Sequence, residues 1–495
     1  MSSEKMENGD GVKNNTASLC GSNVKLRREL GLFSAINLIL GVMIGSGIFV
    51  SPATALKHSG SVALCLIVWI VSGIISLLGA LSFAELGTVV GKSGAEYAYF
   101  QAAFGKMHKF WGPLPSFICA WIYVVILRPA EVAIIVLTFA KYAIQPFTIH
   151  LQEDYKSMAI ILGSLSALFL MTYINITSVK LFVKVQNLFG VCKVLACLIV
   201  IGGGLYEIQA GNTENLNKGF ENSTTSLGGI AQALFSGLWA YDGWNSVTVV
   251  TEEIINPGTN VPLSIAVAVP LITGLYVFMN VAYMTVLTSA EMVSVPAVAV
   301  TFGERVLGPA SFLIPLMVAI ATFGCAMSVQ FGVTRVCYSA ARGGHMVEVF
   351  SYVNMKHMTP APAVAFQAIL TSIFIVVGRI DTLIDFASWL LWFFYGLAMV
   401  ALLVLRKTQK DTPRPYRVPT VVPYCVLLIS MFLTVFSVID DPSMKYVTAI
   451  LLILIGVGVY TIFVYHRKTP TTLLRKFTFL TQMLFQCVPP NTRDD

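Results

Sequence analysis

Four ionisable side chains stand inside stretches that are otherwise apolar: Arg128 and Glu131, Lys193, and Asp242. A charge within hydrocarbon is costly, so each is a functional candidate by default. Arg128 and Glu131 are three residues apart, close enough to pair on one helical face, and Arg128 is equally a candidate pocket residue. Lys193, in Gly190-Val191-Cys192-Lys193-Val194, lies too near the middle of its segment for the ammonium group to reach water easily. Asp242 offers a carboxylate suited to the distal charge of lysine, arginine or ornithine.

The main chain adds chemistry of its own. In Gly41-Val42-Met43-Ile44-Gly45-Ser46-Gly47-Ile48-Phe49 three glycines fall within seven residues, with Pro52 downstream. A helix should unwind there, and unwound backbone at membrane depth is tolerated only where it lines a protein-buried or watery cavity. A comparable interruption, Gly237-Leu238-Trp239-Ala240-Tyr241-Asp242-Gly243-Trp244, follows roughly 200 residues later. Amide groups and the positive dipole end at Gly45, Ser46 and Gly47 would hold a carboxylate. Carbonyls freed around Ile44, Trp239 and Ala240 would receive an ammonium group. A site offering both suits a zwitterion, with neutral and cationic amino acids entering through the same backbone contacts.

These groups need a membrane-spanning scaffold. Of the 495 residues 56% are hydrophobic and 12% charged, about half the roughly 25% charge of a soluble domain. Twelve apolar stretches long enough to cross a bilayer begin near Leu32, Val62, Leu114, Met158, Leu181, Gly228, Leu263, Ala310, Ala361, Leu383, Val421 and Tyr446. Alternating strands of a membrane barrel are absent, so the expected fold is an all-α membrane protein with twelve transmembrane helices. The broken first and sixth helices each open a five-helix block, the pattern of inverted-repeat transporters with a midplane site. The expected organisation is a cytosolic tail over 1–30, a transporter core over 31–405 holding helices 1–10, helices 11 and 12 over 406–466, and a second cytosolic tail over 467–495.

Lys and Arg set the orientation. With the N-terminus inside, twenty-three of the 32 fall in inner segments, seven in outer loops, and Arg128 and Lys193 within spans. Both termini are therefore expected in the cytosol. The sequon Asn222-Ser223-Thr224 then faces outward, where a glycan can be added. The net charge of +7 is explained by the inner loops, so no nucleic-acid partner is invoked. The polar first thirty residues hold no apolar core of a cleavable signal. Leu473-Leu474-Arg475-Lys476-Phe477-Thr478-Phe479-Leu480 mixes basic and large apolar residues and reads as an interfacial helix on the inner leaflet. Cys65, Cys119, Cys192, Cys197, Cys325 and Cys337 fall in apolar segments and read as structural thiols, without metal or redox spacing. Six dispersed histidines and the lack of a His-Glu-x-x-His or Gly-x-x-x-x-Gly-Lys motif argue against an enzyme, a metal site or a cofactor. The spans lack the continuous polar lining of a channel.

Gly45-Ser46-Gly47-Ile48-Phe49, Phe83-Ala84-Glu85-Leu86-Gly87 and Thr251-Glu252-Glu253 followed by Asn256-Pro257 resemble the light chains of heteromeric amino acid transporters, from about Leu30 to Pro490. Gly237 to Asn245, Ala297-Val298-Ala299-Val300-Thr301-Phe302-Gly303 and Leu307-Gly308-Pro309-Ala310-Ser311 look most like the branch that exchanges cystine and dibasic amino acids. The resemblance implies a LeuT-type 5+5 inverted repeat and sodium-independent obligatory exchange. It places the substrate backbone between Ile44 to Gly47 and Trp239 to Asp242, with Trp239 as an aromatic gate that can stack on a cationic side chain. Trp392 of the tenth span joins the substrate-binding set. Lys193 matches a lysine beside the unwound first helix, where sodium-coupled relatives hold a cation. Leu391 stands where the cystine/glutamate branch carries arginine, against anionic substrates, and Met327 replaces a polar residue of the eighth-span pattern.

Such light chains carry a cysteine in the outward third-to-fourth loop, disulfide-bonded to a glycoprotein heavy chain. Here Leu151 stands at that position and residues 141 to 156 contain no cysteine, so that covalent link is absent: either a heavy chain associates noncovalently or the protein reaches the surface alone. The leading expectation is an exchanger of neutral and cationic L-amino acids, with cystine a further candidate, in the plasma membrane. The alternatives are a proton-coupled symporter, with Lys193, Asp242 or Glu131 titrating, and a nontransporting amino acid sensor.

Overall fold

The computed structural model describes residues 28–148, 152–295, 297–377, 380–440, 444–467 and 471–490. Leu151, most of the N-terminal tail and the last five residues lie outside the described residues. Helices α1 (Leu32–Met43) and α2 (Gly47–Ser59) meet at 48°. Ser61 caps α3 (Val62–Val90) by accepting from the Leu64 N–H, and a left-handed Gly91 ends it before the short α4 (Glu96–Phe104). From α5 (Leu114–Ile122) the chain passes through a π-helical turn, Tyr123–Leu127, into α6 (Arg128–Thr148). Between α7 (Glu153–Thr177) and α8 (Val179–Gln209), Ser178 leaves the helical conformation and caps the second helix. The short α9 (Glu214–Asn217) leads to α10 (Leu227–Ala240), which breaks before α11 (Ser246–Val249). Pro257 opens α12 (Pro257–Val286), and α13 (Ser289–Ser294) and α14 (Val298–Val306) connect it to α15 (Leu313–Arg342). Then come α16 (Ala361–Val377), α17 (Ile380–Thr408), α18 (Val421–Asp440), α19 (Met444–Val459) and α20 (Thr471–Phe485). A two-residue strand pair, β1 (Val353–Asn354) with β2 (Cys487–Val488), ties the chain end back to the bundle.

The all-helical expectation holds. Among the described residues eight helices are long and apolar enough to cross a bilayer, and the bent α1–α2 pair passes the same test as a unit. Helices α10, α16 and α18 are apolar but shorter. Phe169, Leu170, Leu188, Leu428 and Leu454 point outward, exposed, as side chains facing lipid do. Inside, Ser164, Thr322 and Thr334 are buried and each bonds a carbonyl three or four residues earlier, which leaves the helices uninterrupted. The thiols of Cys65, Cys119, Cys197, Cys325 and Cys337 are free and buried.

The acidic motifs Glu85 and Glu252-Glu253 gather at one end of the bundle. Glu253, wholly buried, receives Arg335 Nε at 2.7 Å and Nη2 at 3.2 Å, while Arg335 Cζ lies 3.4 Å from the Phe331 ring centre. Its carbonyl takes the N–H of Leu30 at 3.0 Å, fastening the start of α1 to the segment after α11. Glu252 pairs with Arg342 at 3.3 Å, and Glu85 pairs with Arg406 and Arg414. Glu85 on α3 thus joins Arg406 on α17, and Arg335 on α15 holds the segment after α11. Removing one member of a buried pair costs about 3–5 kcal/mol, whereas replacing both with apolar residues is close to neutral. Arg335→Met is therefore expected to lower the thermal unfolding midpoint of the purified protein sharply. Adding Glu253→Leu should recover most of the loss; equal midpoints for the two variants would contradict this.

Beyond α15, His345 packs edge-on against Tyr97 and Phe117, and burial pushes its imidazole down to about 4. In the opposite connection Arg305 grips Glu291, whose carboxylate also caps α13 through the Thr288 N–H. The sequon lies between α9 and α10, where Asn222 is exposed and adopts a left-handed φ of 63°. The segment Leu473–Leu480 falls within α20, whose Leu473, Phe479, Leu480 and Met483 are exposed. Asn354 Nδ2 donates to the Phe485 carbonyl at 2.7 Å and holds that helix to the bundle.

Candidate functional site

At the first break Ile44 leaves the helix with ψ 77°, and the Gly45 N–H turns back to the Met43 carbonyl. Three carbonyls at the end of α1 consequently lose their helical donors. Side chains from three other helices replace them. Lys193 Nζ of α8 donates to Gly41 O at 2.6 Å, the Cys325 thiol of α15 to Val42 O at 3.2 Å, and the Tyr276 hydroxyl of α12 to Met43 O at 2.6 Å. The glycines permit the approach: a Cβ on Gly45 would lie 2.8 Å from Cys325 Sγ, and one on Gly47 would lie 2.7 Å from Ala240 Cα. The first amides of α2 have no helical acceptor, the geometry that favours an anion.

The second break follows Ala240. Gly243 has φ 102°, open to glycine, and a Cβ there would meet Val42 Cγ1 at 2.3 Å. The main chain of the second break therefore packs directly on the Val42 side chain of the first. Tyr276 joins them, because its hydroxyl lies 2.6 Å from Met43 O and 3.2 Å from Ala240 O. Trp239 O accepts from the Asp242 N–H at 3.2 Å. Two of the carbonyls expected to be free for an ammonium group thus already have donors, since a buried carbonyl left without one is costly.

Asp242 stands at the edge of a narrow cleft lined by Phe235, Leu238, Trp239, Trp244, Leu391, Trp392 and Tyr395, with a cavity volume of about 10 Å³, room for about one water molecule. The Tyr395 hydroxyl donates to Asp242 Oδ1 at 2.6 Å, and Arg128 Nη1 lies 3.5 Å from Oδ2. The same Nη1 is 2.6 Å from Glu131 Oε2, so the pair expected on one helical face forms and reaches the cleft as well. Behind it Glu96 is buried and accepts from Asn245 Nδ2 at 2.9 Å, with the Tyr123 hydroxyl at 3.5 Å. Among the described residues no cluster of His, Cys, Asp and Glu could hold a metal ion.

A protein-family model described as amino acid permease matches residues 30–459. The chain belongs to the amino acid permease family. The human b(0,+)-type amino acid transporter 1 is 42% identical to it over 466 residues, 94% of either chain. Human cystine/glutamate transporter is 36% identical across 94% of this chain and 92% of its own, and the mouse large neutral amino acids transporter small subunit 2 is 36% identical across 98% and 93%. The resemblance read from the sequence motifs is borne out. As a permease with apolar spans the chain is an integral membrane protein, and its family consists of transporters rather than enzymes.

The permease brings Trp239, Asp242 and Trp392 to one cleft and sets Arg128 beside Asp242. Ile44, Gly45 and Gly47 are buried against Ala240, Cys325 and their neighbours, just behind that wall, and Ser46 is partly exposed. Lys193 lies deeper, on Gly41. Leu391 lines the cleft, while Met327 is buried elsewhere and lends only its carbonyl to Asn175. Sequence reasoning passed over Tyr276, Tyr395 and Trp244, and assigned Cys325 no more than packing. The available signal was a phenol in an otherwise apolar span, which must find a partner when buried.

Proposed function

We propose that this permease is a sodium-independent, obligatory exchanger of neutral and cationic L-amino acids, with cystine as a further substrate, working by alternating access. The observation that carries this reading is the cleft beside the second helix break, where the Asp242 carboxylate meets the rings of Trp239 and Trp392. The α-carboxylate of the substrate docks on the amides of Ser46 and Gly47, because the Gly45 N–H expected to join them is held by Met43 O. Its ammonium group docks on the Ile44 carbonyl, beside the already bonded Trp239 and Ala240 carbonyls, and a distal cation on Asp242 under Trp239. Lys193 supports sodium independence: its ammonium group already donates to the Gly41 carbonyl, 2.6 Å away, where a bound cation would otherwise serve.

The proposed layout is a LeuT-type 5+5 inverted repeat. Helices 1–10 occupy residues 31–405, helices 11 and 12 follow over 406–466, and the tails 1–30 and 467–495 are cytosolic. The eight long spans, the bent α1–α2 pair and the shorter α10, α16 and α18 support it, as does the Lys and Arg distribution. The protein resides in the plasma membrane, and α20 lies along the inner leaflet. A relative named as a small subunit supports association with a larger partner. Without a cysteine over 141–156 that association would be noncovalent.

Purified protein in liposomes tests the reading. Internal unlabelled leucine should accelerate uptake of labelled lysine and leucine, independently of sodium. Accumulation driven by a pH gradient without such acceleration would establish proton symport instead, and binding without flux a sensor. Asp242→Gly is expected to reduce lysine and arginine uptake about tenfold or more, the effect of losing a close charge pair, while leucine uptake falls far less. Equal losses would remove Asp242 from cation recognition.

A further inference from the structure

We propose that Arg128 and Glu131 form an internal counterion switch that sets the preference of the cleft between cationic and neutral substrates; the proposal rests on the exchange reading above. Two carboxyl groups, Glu131 and Asp242, face one guanidinium: Arg128 Nη1 lies 2.6 Å from the first and 3.5 Å from the second. With the buried Glu96 behind them, the cluster holds more carboxyl groups than its single guanidinium can pair. A low-dielectric site with an uncompensated carboxylate attracts a further positive charge, and the open side of Asp242 is the cleft. A cationic substrate supplies that charge and leaves Arg128 wholly to Glu131. A neutral substrate supplies none, and Arg128 leans across to Asp242.

The reach of Arg128 is set by the backbone. The π-helical turn Tyr123–Leu127 directly precedes it and Pro129, which has no N–H, directly follows. Val124 O receives Gln367 Nε2 of α16 at 2.8 Å, which fastens the turn, and Arg128 Cζ lies 5.2 Å from the Tyr123 ring centre. The guanidinium is thereby held between the two carboxylates. Tyr395 holds Asp242 Oδ1 from the other side at 2.6 Å, leaving Oδ2 as the oxygen for which Arg128 and substrate compete. Glu131 is a positioning residue: it acts on substrate only by retaining Arg128.

Opposite effects of two variants test the switch. In Glu131→Gln the guanidinium loses its nearer partner and falls onto Asp242, so the KM for lysine should rise about tenfold. In Arg128→Gln with Glu131→Gln the competitor is gone, and the KM for lysine should fall below that of the natural protein. Both are measured by exchange of labelled lysine and leucine with the full chain purified into liposomes, and read as the ratio of the lysine KM to the leucine KM. Arg128→Lys retains one positive charge and should stay nearest to the natural protein in lysine-to-leucine ratio. The switch is overturned if the two variants shift the lysine KM in the same direction, or if lysine and leucine move together. Loss of leucine exchange in both variants would make the pair purely structural, which also overturns it. If the natural protein exchanges neither substrate, the exchange reading itself fails.

Discussion

Replacing Lys193 with methionine is expected to slow amino acid exchange by about 10- to 100-fold, because a buried carbonyl left without its donor costs about 1–3 kcal/mol. The ammonium lies 2.6 Å from Gly41 O and is buried, so water cannot take its place in the outline the structure presents. Methionine keeps the unbranched stem that packs against Gly324, one atom shorter, and has no donor. The measurement is the initial rate of labelled leucine uptake into preloaded liposomes, compared at equal amounts of protein. A rate within about twofold of the natural protein would separate Lys193 from the transport cycle. Sodium gives a second readout: it should leave the natural protein unaffected, since the positive charge at this break is already covalently attached.

Tyr276→Phe is expected to have an effect of similar size, about tenfold or more on the same rate. One hydroxyl serves the carbonyls at both breaks, Met43 O at 2.6 Å and Ala240 O at 3.2 Å, and phenylalanine preserves the ring contacts with Trp69 and Tyr241 while removing it. A hydroxyl has one proton to donate, so the two acceptors share it and a relative movement of the breaks alters the sharing. Tyr276→Phe should therefore depress the exchange rate more than it depresses substrate binding at equilibrium. Loss of binding with an unchanged turnover would place the tyrosine in recognition rather than in the coupling of the broken helices.

Much of this was readable from local pattern. Gly41, Gly45 and Gly47 announced an interruption, and α1 does stop at Met43 and resume at Gly47. Arg128 and Glu131, three apart, announced a pair that forms at 2.6 Å. Apolar stretches from Val62 and Leu263 onward became α3 and α12 with little adjustment. The acidic motifs around Glu85 and Glu252 carried the family resemblance without disclosing a role. Their role is ion pairing with Arg406, Arg414, Arg335 and Arg342 at one end of the bundle. Each partner arrives from a distant part of the chain, which no window of neighbouring residues contains.

The sequence by itself determined that the chain is helical, apolar and membrane-spanning, where two of its helices break, and which charges sit within the spans. Those properties follow from residue type and short spacing, because glycine content, hydrophobic run length and side-chain charge act on the immediate backbone and its solvent. Only the tertiary structure decided what completes the breaks. Lys193 lies 152 residues from Gly41, Tyr276 lies 233 from Met43 and Cys325 lies 283 from Val42, yet each donates to the opened end of α1. Hydrogen bonds are short-ranged and directional, so which donor satisfies a freed carbonyl depends on where packing delivers it, and that depends on the whole bundle at once.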